Sequence, residues 1–129
     1  MFSRVRWVKE PKFAKKSEIL ALSRTSKSEF MIAGQLDKYG ILYLYEAPLI
    51  LGKKTKFPDF LIIHPITGKL IIWEHCGYIH EPEYGKAMIK KMELYQAHGF
   101  IPFETLIYTF EFNINIPFLR RLIEKFILE

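Results

Sequence analysis

The segment that decides the fold runs from residue 57 to residue 77 and reads FPDFLIIHPITGKLIIWEHCG. Two apolar runs flank the tetrapeptide PITG, which has the composition of a turn. We therefore predict an antiparallel hairpin whose four-residue loop is closed by His64 and Lys69. In that register Asp59 lies directly opposite Glu74, and the two carboxylates share one face of the sheet with Cβ atoms about 5 Å apart.

Two carboxylates this close repel each other unless one is protonated or a cation lies between them. The oxygen atoms of Asp59 and Glu74 are hard ligands of the kind that suits Mg²⁺ or Mn²⁺. The alternative is that both side chains are solvated at the ends of their strands. The flanking runs are apolar enough to be buried on both faces, and this favours a metal site over solvated carboxylates.

The same residues resemble a known family. Pro58-Asp59, the hydrophobic hairpin and the sequence Glu74-His75-Cys76-Gly77 look like the active-site core of the PD-(D/E)xK nuclease superfamily. The resemblance covers about residues 24–129 and rests on the order and spacing of short motifs. It implies a restriction-endonuclease-like αβββαβ core, with Asp59 and Glu74 as metal ligands. The backbone carbonyl of His75 is expected as a further ligand, while strand alternation points its side chain to the other face.

The chain departs from the family pattern at the lysine. The family places that residue two positions after the glutamate, where this chain has Cys76. The pattern is similar to a subgroup in which the lysine has moved onto the following helix. We predict that helix from about Glu83 to His98, and Lys91 falls in the middle of its apolar sector. A lysine on a core-facing stripe is costly unless it is paired or snorkels, so Lys91 is either the missing site residue or a snorkelling structural lysine.

Glu29 has two interpretations. The first helix is predicted to open at Ser26 and to run to about Tyr39, and Ser26 with Glu29 fits a capping box. Glu29 also lies at the head of the stripe that faces the sheet, from which it could reach into the site. In the resembled family a glutamate on the first helix often lies beside the metal.

The order of predicted elements is helix, three strands, helix, strand, helix. The first strand is expected at 41–48, a basic loop at 52–56, the fourth strand at 105–110, and a last helix capped by Asn115. Short links make the first three strands antiparallel, and the helical crossover makes the fourth parallel to a neighbour. The predicted fold is α/β, a three-layer αβα arrangement around a mixed four-stranded sheet.

Composition limits the protein class. Half of the 129 residues are hydrophobic and there is one cysteine, so a globular domain in a reducing cytoplasm is expected without a disulfide. The chain has neither an apolar run of the roughly 20 residues of a membrane span nor the start of a signal peptide. Residues 1–27 carry eight Lys/Arg against two Glu. We expect residues 1–23 to form a basic arm that attracts phosphates, unless they are a solvated terminus or the remnant of a larger region.

The resulting prediction for residues 24–129 is a Mg²⁺- or Mn²⁺-dependent phosphodiesterase that acts on nucleic acid, with DNA as the expected substrate. Asp59, Glu74, Lys91 and Glu29 are the predicted catalytic residues, and no membrane partner is expected. Two alternatives stay open, a non-catalytic nucleic-acid-binding module that keeps the fold and an interaction domain of a larger assembly. The oligomeric state is also open, with a homodimer as one option.

Overall fold

The protein is described by a computed structural model over residues 27–78 and 80–128. The predicted arm at 1–23 and the predicted helix cap at Ser26 lie outside the described residues. The elements in chain order are α1 (Lys27–Lys38), β1 (Tyr43–Tyr45), β2 (Leu49–Leu51), β3 (Lys54–Lys56), β4 (Phe60–Ile63), β5 (Leu70–Cys76), α2 (Pro82–Ala97), β6 (Leu106–Phe110), a 3₁₀ turn (Glu111–Asn113) and α3 (Ile116–Phe126).

Four strands form a mixed sheet in the order β1-β4-β5-β6. β1 pairs antiparallel with β4, and β4 pairs antiparallel with β5. β6 pairs parallel with β5. The crossover through α2 supplies the long connection that a parallel neighbour requires. The predicted α/β fold with a mixed four-stranded sheet is confirmed.

The central hairpin has the predicted register. Phe60 pairs with Trp73, and the ladder ends where the His64 N–H donates to the Lys69 carbonyl over 2.8 Å. Gly68 has a φ of +71°, a backbone conformation that only glycine adopts without strain. Extending this register by one residue brings Asp59 opposite Glu74 at the open end of the hairpin.

The sheet buries a different apolar cluster on each face. β5 is the central strand, and all seven of its residues are buried, as expected for a strand covered on both sides. The helices α1 and α3 cover one face and α2 covers the other. The first cluster includes Ile32, Leu36, Phe60, Ile62, Trp73, Leu119 and Ile123, and the second includes Leu44, Leu61, Leu70, Ile72, Tyr95 and Leu106.

The segment between β1 and β4 differs from its prediction. The predicted strand at 41–48 shrinks to Tyr43–Tyr45 and ends at Glu46, which has a φ of +49°. The predicted basic loop at 52–56 is instead half of a second hairpin, in which Leu51 pairs with Lys54 around Gly52. The apolar side chains of β2 anchor this hairpin because Leu49 and Leu51 are fully buried or nearly so. β3 has lysines at both ends and gives no apolar signal of its own.

The last helix begins where the sequence predicts. The side chain of Asn115 accepts a hydrogen bond from the Phe118 N–H over 2.9 Å, and Pro117 lies in the first turn, where its missing N–H costs nothing. At the end of the first helix, Gly40 has a φ of +68°. In the described part of the chain, none of the three helices combines the length and apolarity that crossing a membrane would require.

Candidate active site

Two carboxylates lie at the open end of the β4–β5 hairpin, each held by the backbone of the opposite strand. The Asp59 N–H donates to Glu74 Oε1 over 3.2 Å, and the His75 N–H donates to Asp59 Oδ2 over 2.7 Å. Glu74 is completely buried, whereas Asp59 is partly accessible. The reciprocal hydrogen bonds fix both side chains in position before any ligand is bound.

The helix α2 delivers a cation and a hydroxyl to the buried carboxylate. Lys91 Nζ lies 3.1 Å from Glu74 Oε2, and the Tyr95 hydroxyl donates to the same oxygen over 2.7 Å. The two residues are four apart and therefore share one face of the helix. Lys91 is thus paired with a buried carboxylate, which offsets the cost of its place in the apolar sector of the helix.

The site has an excess of negative charge. Desolvation is the largest cause that raises the pKa of the Asp59 carboxyl, and the nearby charges of Glu74 and Glu29 raise it further. The hydrogen bond from the His75 N–H opposes these effects but is outweighed. The acidic pair therefore keeps a proton around neutral pH when no cation is bound, because two buried carboxylates this close do not both ionise.

Glu29 approaches the site from the other helix layer. Its Oε1 accepts a 2.6 Å hydrogen bond from the Tyr45 hydroxyl, and Tyr45 pairs with Phe60, the residue that follows Asp59. The contribution of Glu29 to the pKa of Asp59 shows that the two carboxyls interact. Glu29 thus contributes negative charge to the site, whether or not Ser26 caps the helix.

Cys76 occupies the position where the resembled family carries its lysine. The thiol is buried, and desolvation, followed by the charges of Glu74 and Asp59, raises its pKa to about 12. The thiol is protonated at neutral pH and carries no charge, so it supplies neither a cation nor a nucleophile. The charge of Lys91 opposes these effects and lowers the pKa of the Cys76 thiol, but it is outweighed.

His75 points away from the acidic pair, as strand alternation predicts. Its Nδ1 lies 2.9 Å from Thr109 Oγ1, and its Nε2 lies 2.7 Å from Glu111 Oε2. Thr109 Oγ1 also accepts from the Trp73 indole N–H over 3.0 Å, and Ser28 donates to Glu111 Oε1 over 2.6 Å. The side chain of His75 therefore has a structural role, and only its backbone carbonyl stays a predicted metal ligand.

The partners of His75 limit where its hydrogen bonds can point. The indole N–H of Trp73 can only donate, so Thr109 Oγ1 accepts from it, and the hydroxyl can still either donate to or accept from His75 Nδ1. The pKa of Glu111 is lowered chiefly by its hydrogen bonds with His75 and Ser28, so its carboxylate accepts from Nε2. The network connects the start of α1 to the end of β5. It thereby helps to position the first turn of α1, which includes Glu29.

Two groups at this site escape sequence analysis. Tyr95 belongs to the predicted apolar sector of α2, and only its spacing of four from Lys91 indicates that its hydroxyl could reach the same partner. The Ser28–Glu111–His75–Thr109 network joins residues as many as 83 positions apart. No local pattern in the sequence signals such pairs.

A pocket of about 110 Å³ opens onto the acidic pair. This volume corresponds to about three or four water molecules and is too small for a nucleotide, so the substrate would be bound largely outside it. A larger depression of about 560 Å³ lies along α1 and includes neither Asp59 nor Glu74 in its lining. The smaller pocket is lined by Asp59, Glu74, Tyr84, Ala87, Met88 and Lys91.

The donor set fits a hard divalent cation of the magnesium type. Within residues 27–78 and 80–128 no three side chains of His, Cys, Asp or Glu converge as a complete metal-binding group. Mg²⁺ does not need one, because it keeps several waters and binds through one or two carboxylates together with substrate phosphates. Asp59, Glu74 and the His75 carbonyl are the groups that could hold it, and a dication would relieve the repulsion that raises the pKa of Asp59.

Comparison with known proteins leaves the family open. No protein-family model, no curated protein and no solved structure matches the chain significantly. The resemblance to PD-(D/E)xK nucleases therefore stays a prediction from the motifs.

Proposed function

We propose that the protein is a metal-dependent phosphodiesterase that acts on nucleic acid, with DNA as the expected substrate and a restriction-endonuclease-like core. The observation that carries the proposal is the meeting of Asp59, Glu74 and Lys91 around one small pocket. They come from two strands and from the following helix, in the order that the motif resemblance implies. An acidic pair that needs a cation, with an ammonium beside it, suits a phosphate ester better than a neutral substrate.

In the proposed reaction Asp59, Glu74 and the His75 carbonyl would hold a divalent ion. Such an ion would supply a water of lowered pKa and would offset charge on the phosphate. Lys91 would orient the attacking water or neutralise a phosphate oxygen, and Tyr95 holds Glu74 in the orientation that keeps its second oxygen toward Asp59. Glu29 adds to the negative field from the opposite layer and would favour a second ion or a bridging water.

The decisive experiment measures cleavage of labelled DNA with Mn²⁺ in wild type, Asp59→Asn, Lys91→Met and the double variant Lys91→Met with Cys76→Lys. Lys90→Met is the matched control, because Lys90 is the exposed neighbour on the same helix. Asp59→Asn and Lys91→Met should abolish cleavage and Lys90→Met should not. Position 76 shares the face of Glu74, so Cys76→Lys should restore part of the activity that Lys91→Met loses.

The outcomes separate this proposal from its alternative. Full activity in Lys91→Met would remove the lysine from the mechanism. No cleavage by wild type with any metal or nucleic acid would favour a non-catalytic nucleic-acid-binding module. One observation supports that second candidate, since each oxygen of Glu74 already accepts a hydrogen bond within the protein.

A further inference from the structure

Three exposed aromatic residues lie just beyond the ends of β4, β5 and β6, at the edge of the sheet where the acidic pair lies. Phe57 lies two residues before Asp59, Tyr78 two after Cys76 at the end of β5, and Phe112 two after the end of β6. Their exposed fractions are 57%, 62% and 81%. β4, β5 and β6 are neighbours, so these residues follow three adjacent strand ends, and neighbouring strands lie about 5 Å apart.

Two of these rings pack against aromatic neighbours, and one of those neighbours lines the pocket. Tyr78 packs edge-on against Tyr84, at 5.9 Å between ring centroids, and Tyr84 lines the pocket beside Asp59. Phe112 stacks on Phe110, with centroids 5.6 Å apart and planes 16° from parallel. Phe110 is in register with Cys76 in the parallel ladder. The rings are thus held open to solvent beside the predicted reaction centre.

Exposed flat rings at the mouth of a phosphate-binding site have a specific use. Proteins that bind single-stranded nucleic acid without reading its sequence combine base–aromatic stacking with positive charge along the backbone. In a duplex the base faces are covered by their neighbours, so only unpaired bases can stack on protein side chains. Lys53 and Lys54, exposed at the tip of the β2–β3 hairpin, lead through Lys56 into Phe57 and offer positive charge for the backbone of such a strand.

We infer that Phe57, Tyr78 and Phe112 form a stacking platform that binds unpaired bases next to the acidic pair, and that the substrate is therefore single-stranded at the cleaved phosphate. This inference rests on the proposed function, because it names the substrate class of that same site. Stacking supplies most of the affinity of the platform, and the lysines of the β2–β3 hairpin supply the phosphate contacts.

The test is a binding measurement on the full chain in EDTA, where no metal-dependent cleavage takes place. Fluorescence anisotropy would compare labelled oligothymidine with a labelled blunt duplex of the same length. Wild type should prefer the single strand, and Tyr78→Ala or Phe112→Ala should each weaken that binding about tenfold. Tyr78→Phe and Phe112→Tyr keep a ring and should keep the affinity. Ile66→Ala is the matched control, since Ile66 is 80% exposed at the opposite end of the hairpin.

Each outcome decides the inference. Equal binding of duplex and single strand by wild type, or unchanged single-strand affinity in both alanine variants, would overturn it, as would wild type that binds neither nucleic acid. A preference for the single strand that the alanine variants lose, together with absent cleavage in Mn²⁺, would keep the platform and overturn the proposed chemistry alone. Binding of oligouridine that is weakened to the same extent by Tyr78→Ala and Phe112→Ala would also support the platform, because a ring stacked on a base does not distinguish ribose from deoxyribose.

Discussion

The ammonium nitrogen of Lys91 lies 3.1 Å from Oε2 of Glu74, so a cation from α2 is paired with a carboxylate that is completely buried. If Lys91 merely lay across an apolar stripe without a partner, its replacement by an apolar residue of similar length would stabilise the fold. The observed pair predicts the opposite, because removing one partner of a buried pair leaves the other charge without compensation.

Lys91→Met should therefore lower the free energy of unfolding. We expect a loss of about 2 kcal/mol, below the roughly 3–5 kcal/mol of a fully buried pair, because the Lys91 side chain is still 26% exposed. Lys90→Met, one residue away on the exposed side, should change stability by less than about 0.5 kcal/mol. Urea denaturation of both variants in EDTA measures the difference, and equal stabilities would mean that the pair contributes nothing to the fold.

The hydroxyl of Tyr95 should contribute to the free energy of unfolding in addition to the packing of its ring. Tyr95→Phe keeps the ring but removes the donor to Glu74, and hydrogen bonds to charged groups contribute about 1.5–3 kcal/mol. Tyr39→Phe is the control, because the Tyr39 hydroxyl also donates to a glutamate, Glu124, but at an exposed position. Thermal or chemical denaturation should show a clear loss for Tyr95→Phe and a small one for Tyr39→Phe. Similar losses in the two variants would contradict the special role of the buried contact.

The acidic pair should make the metal-free protein less stable as pH rises. The pKa of Asp59 is raised from its ordinary value near 3.8 to about 9, first by desolvation and then by Glu74 and Glu29. Between these values the folded state binds more protons than the unfolded chain, so the free energy of unfolding falls as pH increases. The stability that protonated Asp59 gives to the folded state is fully present below about pH 4 and is lost as pH rises through the folded pKa of Asp59. Asp59→Asn should flatten the decline measured by urea denaturation at several pH values in EDTA.

The same proton should couple metal binding to pH. A divalent ion requires ionised Asp59, so binding releases the proton that the pair retains. Mn²⁺ affinity should then rise by about tenfold per pH unit below the folded pKa. Calorimetry in buffers of different ionisation enthalpy measures the released proton. Binding that does not depend on pH, or an equal rise in melting temperature with Mn²⁺ in Asp59→Asn, would place the metal elsewhere.

Thr109→Val tests the network on the opposite face of β5. Valine keeps the shape but removes the oxygen that partners both the Trp73 indole and His75 Nδ1, and each buried group left unsatisfied costs about 1–3 kcal/mol. We expect a loss of about 3 kcal/mol in the free energy of unfolding. Thr55→Val, on the exposed strand β3, should be nearly neutral. A small loss in Thr109→Val would show that water or another group replaces the hydroxyl.

Part of this structure could be predicted because its causes are local. The turn composition and two long apolar runs determine the register of the β4–β5 hairpin, and that register brings Asp59 to Glu74. Helical periodicity places Lys91 on the face that meets the sheet. The β2–β3 hairpin gives no such signal, because each strand has three residues, too few for alternation to be distinguished from a loop.

The rest could not be predicted because it depends on which side chains meet after folding. Tyr95 has the same apolar signature whether its hydroxyl is satisfied by water or by Glu74. Ser28 and Glu111 lie 83 positions apart, and their pairing requires the packing of α1 beside the end of β6. The catalytic role of the site residues stays a prediction, since position alone does not establish chemistry.

Successive side chains of β5 serve opposite faces of the sheet, so this strand is unusually sensitive to the insertion or deletion of one residue. Trp73 and His75 hold the α1 and α3 side together, while Glu74 and Cys76 face α2. Inserting or deleting a single codon upstream in the strand would exchange the two sets, because a slip of one residue turns every side chain to the other face. An insertion would bring the Trp73 indole to the position of Glu74, and a deletion would bring the Glu74 carboxylate to the position of Trp73, in the cluster with Ile32 and Leu119. Genetic variation in this stretch should therefore consist of substitutions, with insertions and deletions confined to the PITG turn.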